Sequence, residues 1–78
     1  MSYKICNTLN ELEEIQSSKK PDEEIYIKVQ TVYNEVLETE INHFSNYPEE
    51  KEVQICNHSL SYDSINSISY YIITLDQD

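Results

Sequence analysis

Fifteen acidic side chains stand against five lysines and no arginine in 78 residues, a formal net charge of −10. That balance argues against direct binding of DNA or RNA, where arginine and lysine meet the phosphates. It also disfavours an anionic membrane surface, and no apolar run nears the roughly 20 residues needed to cross a bilayer. The length suits one small domain spanning residues 1–78 around a thin two-layer core. With no basic and apolar leader at the start, a cytoplasmic location is expected, in the host cell if the chain is phage encoded.

In chain order, Ser2 to Cys6 reads as a brief strand, with Tyr3 and Ile5 flanking a solvated Lys4. Thr8 followed by Glu11 forms a capping-box pattern, and Leu9, Leu12 and Ile15 share one helical stripe, so a first helix is expected from Leu9 to Ser17. Pro21, followed by Asp22, Glu23 and Glu24, reads as a second helix start. At 100° per residue Ile25, Val29, Val32, Tyr33 and Val36 fall in one arc, extended by Tyr26, Leu37 and Phe44, with Lys28, Thr31, Glu35, Glu38 and Asn42 opposite. Only Ile27 is misplaced. The competing alternation through Ile25, Ile27, Val29, Thr31 and Tyr33 fails at Glu35, so a long helix from Asp22 to Ser45 is expected.

Asn46-Tyr47-Pro48 ends that helix, and Glu49-Glu50-Lys51 forms an exposed connector. Glu52 to Leu60 and Ser67 to Leu75 read as two strands of an antiparallel hairpin, joined by turn chemistry at Ser61 to Ser64. The expected fold is therefore α+β in the order β-α-α-β-β, two helices covering one face of a small antiparallel sheet. The chain contains no glycine. Positive φ angles are accordingly expected at asparagines, with Asn7, Asn10, Asn46, Asn57 and Asn66 as candidates.

Little in the sequence points to catalysis. His43 and His58 form no metal-ligand motif, and no glycine-rich phosphate loop or calcium loop is present. Cys56 and His58 on one strand face lie about 6.5 to 7 Å apart, too far for a direct nucleophile pair. Cys6 and Cys56, each in an Ile-Cys-Asn context, read as small buried residues on neighbouring strands. No enzyme activity, cofactor or metal is expected.

Charge and tyrosine content carry the functional expectation. On the expected helix Glu35 and Glu38 lie one turn apart, about 5–6 Å from one another, a spacing comparable to the phosphates of a nucleic-acid strand with its rise of about 3.4 Å. The sequence thus fits a small acidic inhibitor that mimics nucleic acid and occupies the basic surface of a nuclease, CRISPR effector or repair enzyme. Anti-CRISPR, anti-restriction and glycosylase-inhibitor proteins of phages are of this general kind, and the Asn, Ile, Lys, Ser and Tyr bias fits an A+T-rich genome. Glu35, Glu38, Glu49, Glu50 and Glu52 would pair with the target's cations, with Tyr47 as anchor. The alternative is an immunity protein, antitoxin or regulatory subunit that binds through tyrosines, Tyr47, Tyr62 and one of Tyr70 and Tyr71 among them, and through a sheet edge of the last strand. That edge could also support a homodimer. Tyr3, Tyr26 and Tyr33 are expected in the core.

Overall fold

The computed structural model describes residues 3–75. Lys4–Cys6 forms the short strand β1, with Cys6 buried. Thr8 then caps the helix α1, Leu9–Ser17, as its sequence pattern requires. The Thr8 hydroxyl accepts the Glu11 N–H at 3.1 Å, and the Glu11 carboxylate accepts the Asn7 N–H at 3.0 Å. Leu12 is fully buried, with Leu9 and Ile15 packed beside it.

The segment from Asp22 to Ser45 is not a helix. Pro21 sits in a β-turn closed by the Glu23 N–H to the Lys20 carbonyl at 3.1 Å. Proline at the second position of a turn uses the same preset φ that favours a helix start, so the signal served the other structure. Strand β2, Glu23–Thr31, follows, with Ile25, Ile27, Val29 and Thr31 all buried. The period of two prevails because it places every β-branched residue of that row in the core, Ile27 included. Beyond β2 the chain turns at residues 32–35 into β3, Val36–Glu40, makes a 3₁₀ turn at Ile41–His43, and continues as β4, Phe44–Tyr47.

The run read as one strand from Glu52 to Leu60 is two, β5 (Glu52–Ile55) and β6 (His58–Ser61), because Cys56-Asn57 forms a tight turn between them. After a 3₁₀ turn at Tyr62–Ser64 comes β7, Ile65–Thr74. All pairings are antiparallel, giving one sheet in the order β1-β7-β2-β3 and another in the order β4-β5-β6. Among the described residues the architecture is therefore one helix and seven strands in two sheets, mostly β, and not two helices on a sheet. The expected hairpin between the last two strands does not form either. β7 is an inner strand, paired with β2 along its length and with β1 across Ile68–Tyr70, so within Ser67–Leu75 the expected edge is covered by β1 over those three residues.

One apolar cluster joins the layers: Ile25, Ile27, Val29 and Ile68 from the first sheet, Phe44, Val53 and Ile55 from the second, and Leu12 from α1. The corner where the chain leaves one sheet for the other is clamped by Gln16. Its side-chain amide donates to the carbonyls of Ile41 at 3.0 Å and Phe44 at 3.1 Å. Strand pairing is interrupted there, and the helix supplies the missing partners.

The positive φ angles fall at Asn34 (65°), Lys51 (55°) and Cys56 (54°), not at the five asparagines expected. Each of the three lies in the connection of a hairpin, where the geometry of a short loop fixes the backbone more firmly than residue preference does. Cys6 is buried as expected. Cys56 is exposed in its turn, not on a strand, and no longer shares a strand face with His58.

Candidate recognition surface

Two hairpin tips carry the most exposed tyrosines among the described residues. At the β2–β3 tip the buried Thr31 organises the backbone: its hydroxyl accepts the N–H groups of Tyr33 and Glu35, each at 3.2 Å. The Thr31 N–H reaches the Glu35 carbonyl at 2.9 Å, and the Val32 N–H ties the loop to the Ser64 carbonyl at 2.8 Å. These bonds hold Tyr33 outward, 74% exposed, beside exposed Val32, Glu35 and Val36. Tyr33 is therefore not a core residue.

At the β4–β5 tip Tyr47, 43% exposed, lies directly across from Glu52. The turn between them is closed by the Glu50 N–H to the Tyr47 carbonyl at 3.1 Å and the Lys51 N–H to the Pro48 carbonyl at 3.2 Å. Glu49 and Glu50 are exposed, and Glu52 accepts the Ser59 hydroxyl at 3.2 Å. Of the six residues singled out by sequence, the fold brings Tyr47, Glu49, Glu50 and Glu52 together in this one hairpin. Glu35 sits at the other tip, and Glu38 lies on β3 in the four-stranded sheet. The one-turn helical spacing of Glu35 and Glu38 does not exist, because neither residue is helical.

A third feature lies on the outward face of the four-stranded sheet. Strand alternation puts Tyr26, Lys28 and Gln30 on the side opposite the core, and the register sets Tyr71 and Glu40 beside Tyr26, and Ser69 and Glu38 beside Lys28. The Tyr26 and Tyr71 rings stack at 5.2 Å between centroids, and Tyr3 meets Tyr71 edge-on at 4.8 Å. The Tyr26 hydroxyl donates to the Glu24 carboxylate at 2.7 Å. That bond, with desolvation and the charges of Glu24 and Glu40, pushes the Tyr26 phenol up to about 12. Desolvation, and then the Glu38 charge, raise the Tyr3 phenol as well.

Sequence reasoning missed this cluster by assigning Tyr3 and Tyr26 to the core. The alternation of β2 was the available signal, since it places Tyr26 opposite Ile25 and Ile27. Tyr62, read as a contact residue, is half-buried against the core, and its hydroxyl donates to the Asn46 side-chain oxygen. Tyr70 also packs on the core, while Tyr71 faces out.

Cys56 and His43 are neighbours, the Cys56 N–H donating to the His43 carbonyl at 3.0 Å, and both line the hollow beside Tyr3 and Tyr26. The Cys6 thiol donates to the Thr8 carbonyl at 3.2 Å, and burial followed by the Glu11 charge raises its pKa, which disfavours the reactive thiolate. The Cys56 sulfur lies 3.1 Å from the Thr39 hydroxyl. No three His, Cys, Asp or Glu side chains among the described residues are placed to share a metal ion, and no described helix is long and apolar enough to cross a membrane. No protein-family model, curated protein or solved structure matches this chain.

Proposed function

We propose that this chain is an acidic protein ligand that occupies the basic surface of a nucleic-acid-binding protein and thereby inhibits it. The observation that carries the reading is the repeated composition of the hairpin tips. Each presents an exposed tyrosine within three residues of exposed glutamate, Tyr33 with Glu35 and Tyr47 with Glu49 and Glu50. Tyrosine supplies rigid contact area at low entropic cost, and carboxylates supply steering toward a cationic partner. The tips project from hydrogen-bonded turns, so they need little ordering on binding. Glu52, across from Tyr47 at the second tip, and Glu38 on the sheet face add to the acidic surface. Nucleic-acid mimicry on this fold rests on two turns and a sheet face, and no longer on a helix.

The test is capture with the tagged chain from nuclease-treated lysate, followed by elution in a salt gradient. A basic nucleic-acid-binding protein should leave the column as the Debye length falls from about 10 Å at 0.1 M toward about 3 Å at 1 M. Replacing Glu49 and Glu50 together by lysine should then weaken capture at least tenfold, the loss of about 1.4 kcal/mol or more, with no fall in the melting midpoint. Capture only of a non-basic partner that resists salt would replace this reading with a tyrosine-centred interaction module.

A further inference from the structure

The outward tyrosine cluster borders an open concavity of about 450 Å³, lined by Tyr3, Tyr26, Tyr71, Glu38, Glu40 and His43 among others. Its chemistry is specific: aromatic walls with two carboxylates at the rim. One of its walls already attracts an ammonium group from outside the lining, since the Lys28 Nζ stands 5.3 Å from the centroid of the Tyr3 ring. We propose that this concavity binds a guanidinium or alkylammonium group, and that its ligand is an arginine side chain of the basic partner. The assignment of the ligand to a protein side chain rests on the function proposed above; the cation site itself does not.

A cation over a tyrosine face is drawn by the ring quadrupole, and the attraction grows when carboxylates stand nearby and water is partly displaced. The concavity meets both conditions. Glu38 and Glu40 alternate on β3 with their side chains on the outward face, next to Lys28 and Tyr26 in register. Desolvation is the first cause of the raised Tyr3 phenol and the Glu24 hydrogen bond that of the raised Tyr26 phenol, but the charges of Glu38, and of Glu24 and Glu40, add to each. Those carboxylate charges favour an incoming cation.

Arginine fits better than lysine. Its planar guanidinium can lie flat on a ring while its edge donates to a carboxylate, which an ammonium cannot do. Lys28, beside the Tyr3 ring and across from Glu38, is the neighbouring cation that arginine competes with. Its ammonium is a flexible, strongly hydrated head that returns to water when a guanidinium takes its place.

The experiment is titration of the ¹⁵N-labelled full chain, followed by amide chemical shifts, with four probes: Nα-acetyl-arginine methylamide, its lysine counterpart, the uncharged citrulline counterpart, and spermidine. The arginine probe should bind with Kd on the order of millimolar, as a single small contact allows. Its shifts should be confined to the neighbourhood of Tyr3, Tyr26, Lys28, Glu38 and Tyr71. The lysine probe should bind more weakly and the citrulline probe not at all. Glu38→Gln and Tyr3→Leu should each weaken the arginine probe about fivefold, and Lys28→Met should strengthen it.

Shifts spread equally over the glutamates of both hairpin tips, or an equal response to citrulline, would overturn the site. Preference for spermidine over arginine would overturn the side-chain assignment and make a free polyamine the ligand. A localised arginine response with no salt-sensitive basic partner in the capture experiment upholds the cation site and sinks the inhibitor reading. A captured basic partner whose affinity is unmoved by Glu38→Gln upholds the inhibitor reading and sinks the assignment of the ligand to that partner's arginine.

Discussion

Tyr26 and Thr31 sit on the same strand and show what one side chain can decide. Tyr26 points outward and donates to Glu24, and its phenol is pushed up to about 12. The unfolded chain ionises that phenol near its ordinary value of 10.0. Because the folded value is higher, the stabilisation is fully present below the unfolded value and is lost as pH rises through the folded one. Urea midpoints measured at increasing alkaline pH should therefore fall more steeply for the native chain than for Tyr26→Phe across that window; parallel curves would remove the hydrogen bond from the account. Thr31 points inward and is buried, yet both nearby N–H groups need its hydroxyl. The rejected alternation included it, but the expected helix set it on the outer side, whereas it is buried. Its role was not legible either, because the hydroxyl acts on a turn that had been read as helix.

At the scale of elements, α1 was legible down to its ends because its cap and its apolar stripe agreed. The following stretch carried conflicting signals. Pro21 and three acids suit a helix start and a β-turn alike, and the apolar residues satisfy a 3.6 period except at Ile27. Tertiary burial decided in favour of the strand, since Ile27 is fully buried and the row it belongs to faces Ile68, Tyr70 and Ile72 of β7. A single misfit in a helical stripe was thus the informative residue. The hairpin turns were less legible, for without glycine the positive φ angles fall on whichever residue the loop length selects. Cys56 is the clearest case, a first turn residue at φ 54° in a two-residue connection where glycine is usual. Cys56→Gly should raise unfolding free energy by about 1 kcal/mol, read as a higher urea midpoint at constant slope; no gain would mean that the contact with Thr39 offsets the strain.

For the whole molecule, the net charge of −10 on 78 residues has two consequences of opposite sign. Self-repulsion works against the compact state, so the melting midpoint of the free chain should rise between about 0.05 M and about 0.5 M sodium chloride, where screening removes most of the long-range term. Binding to a basic partner should weaken over the same range. A free chain whose midpoint is insensitive to salt would show that the acids are spaced widely enough to be silent in folding. The acidic character of the surface was legible from composition. Its division into two hairpin tips and a tyrosine-lined sheet face was not, because that division depends on which strands pair.

The position of β7 has a bearing on how the chain acquires its structure. It is the last of the seven strands to leave the ribosome, yet it lies between β1 and β2. Until it emerges, β1 has no partner and β2 has only β3, so the larger sheet cannot assemble in order of synthesis. Contacts between Lys4 and Tyr70 or Cys6 and Ile68 span nearly the whole sequence, and closing so long a loop delays the reward of the pairing. Assembly of the larger sheet then waits on a late, concerted step, and truncation within β7 removes one of its two inner strands instead of trimming an edge.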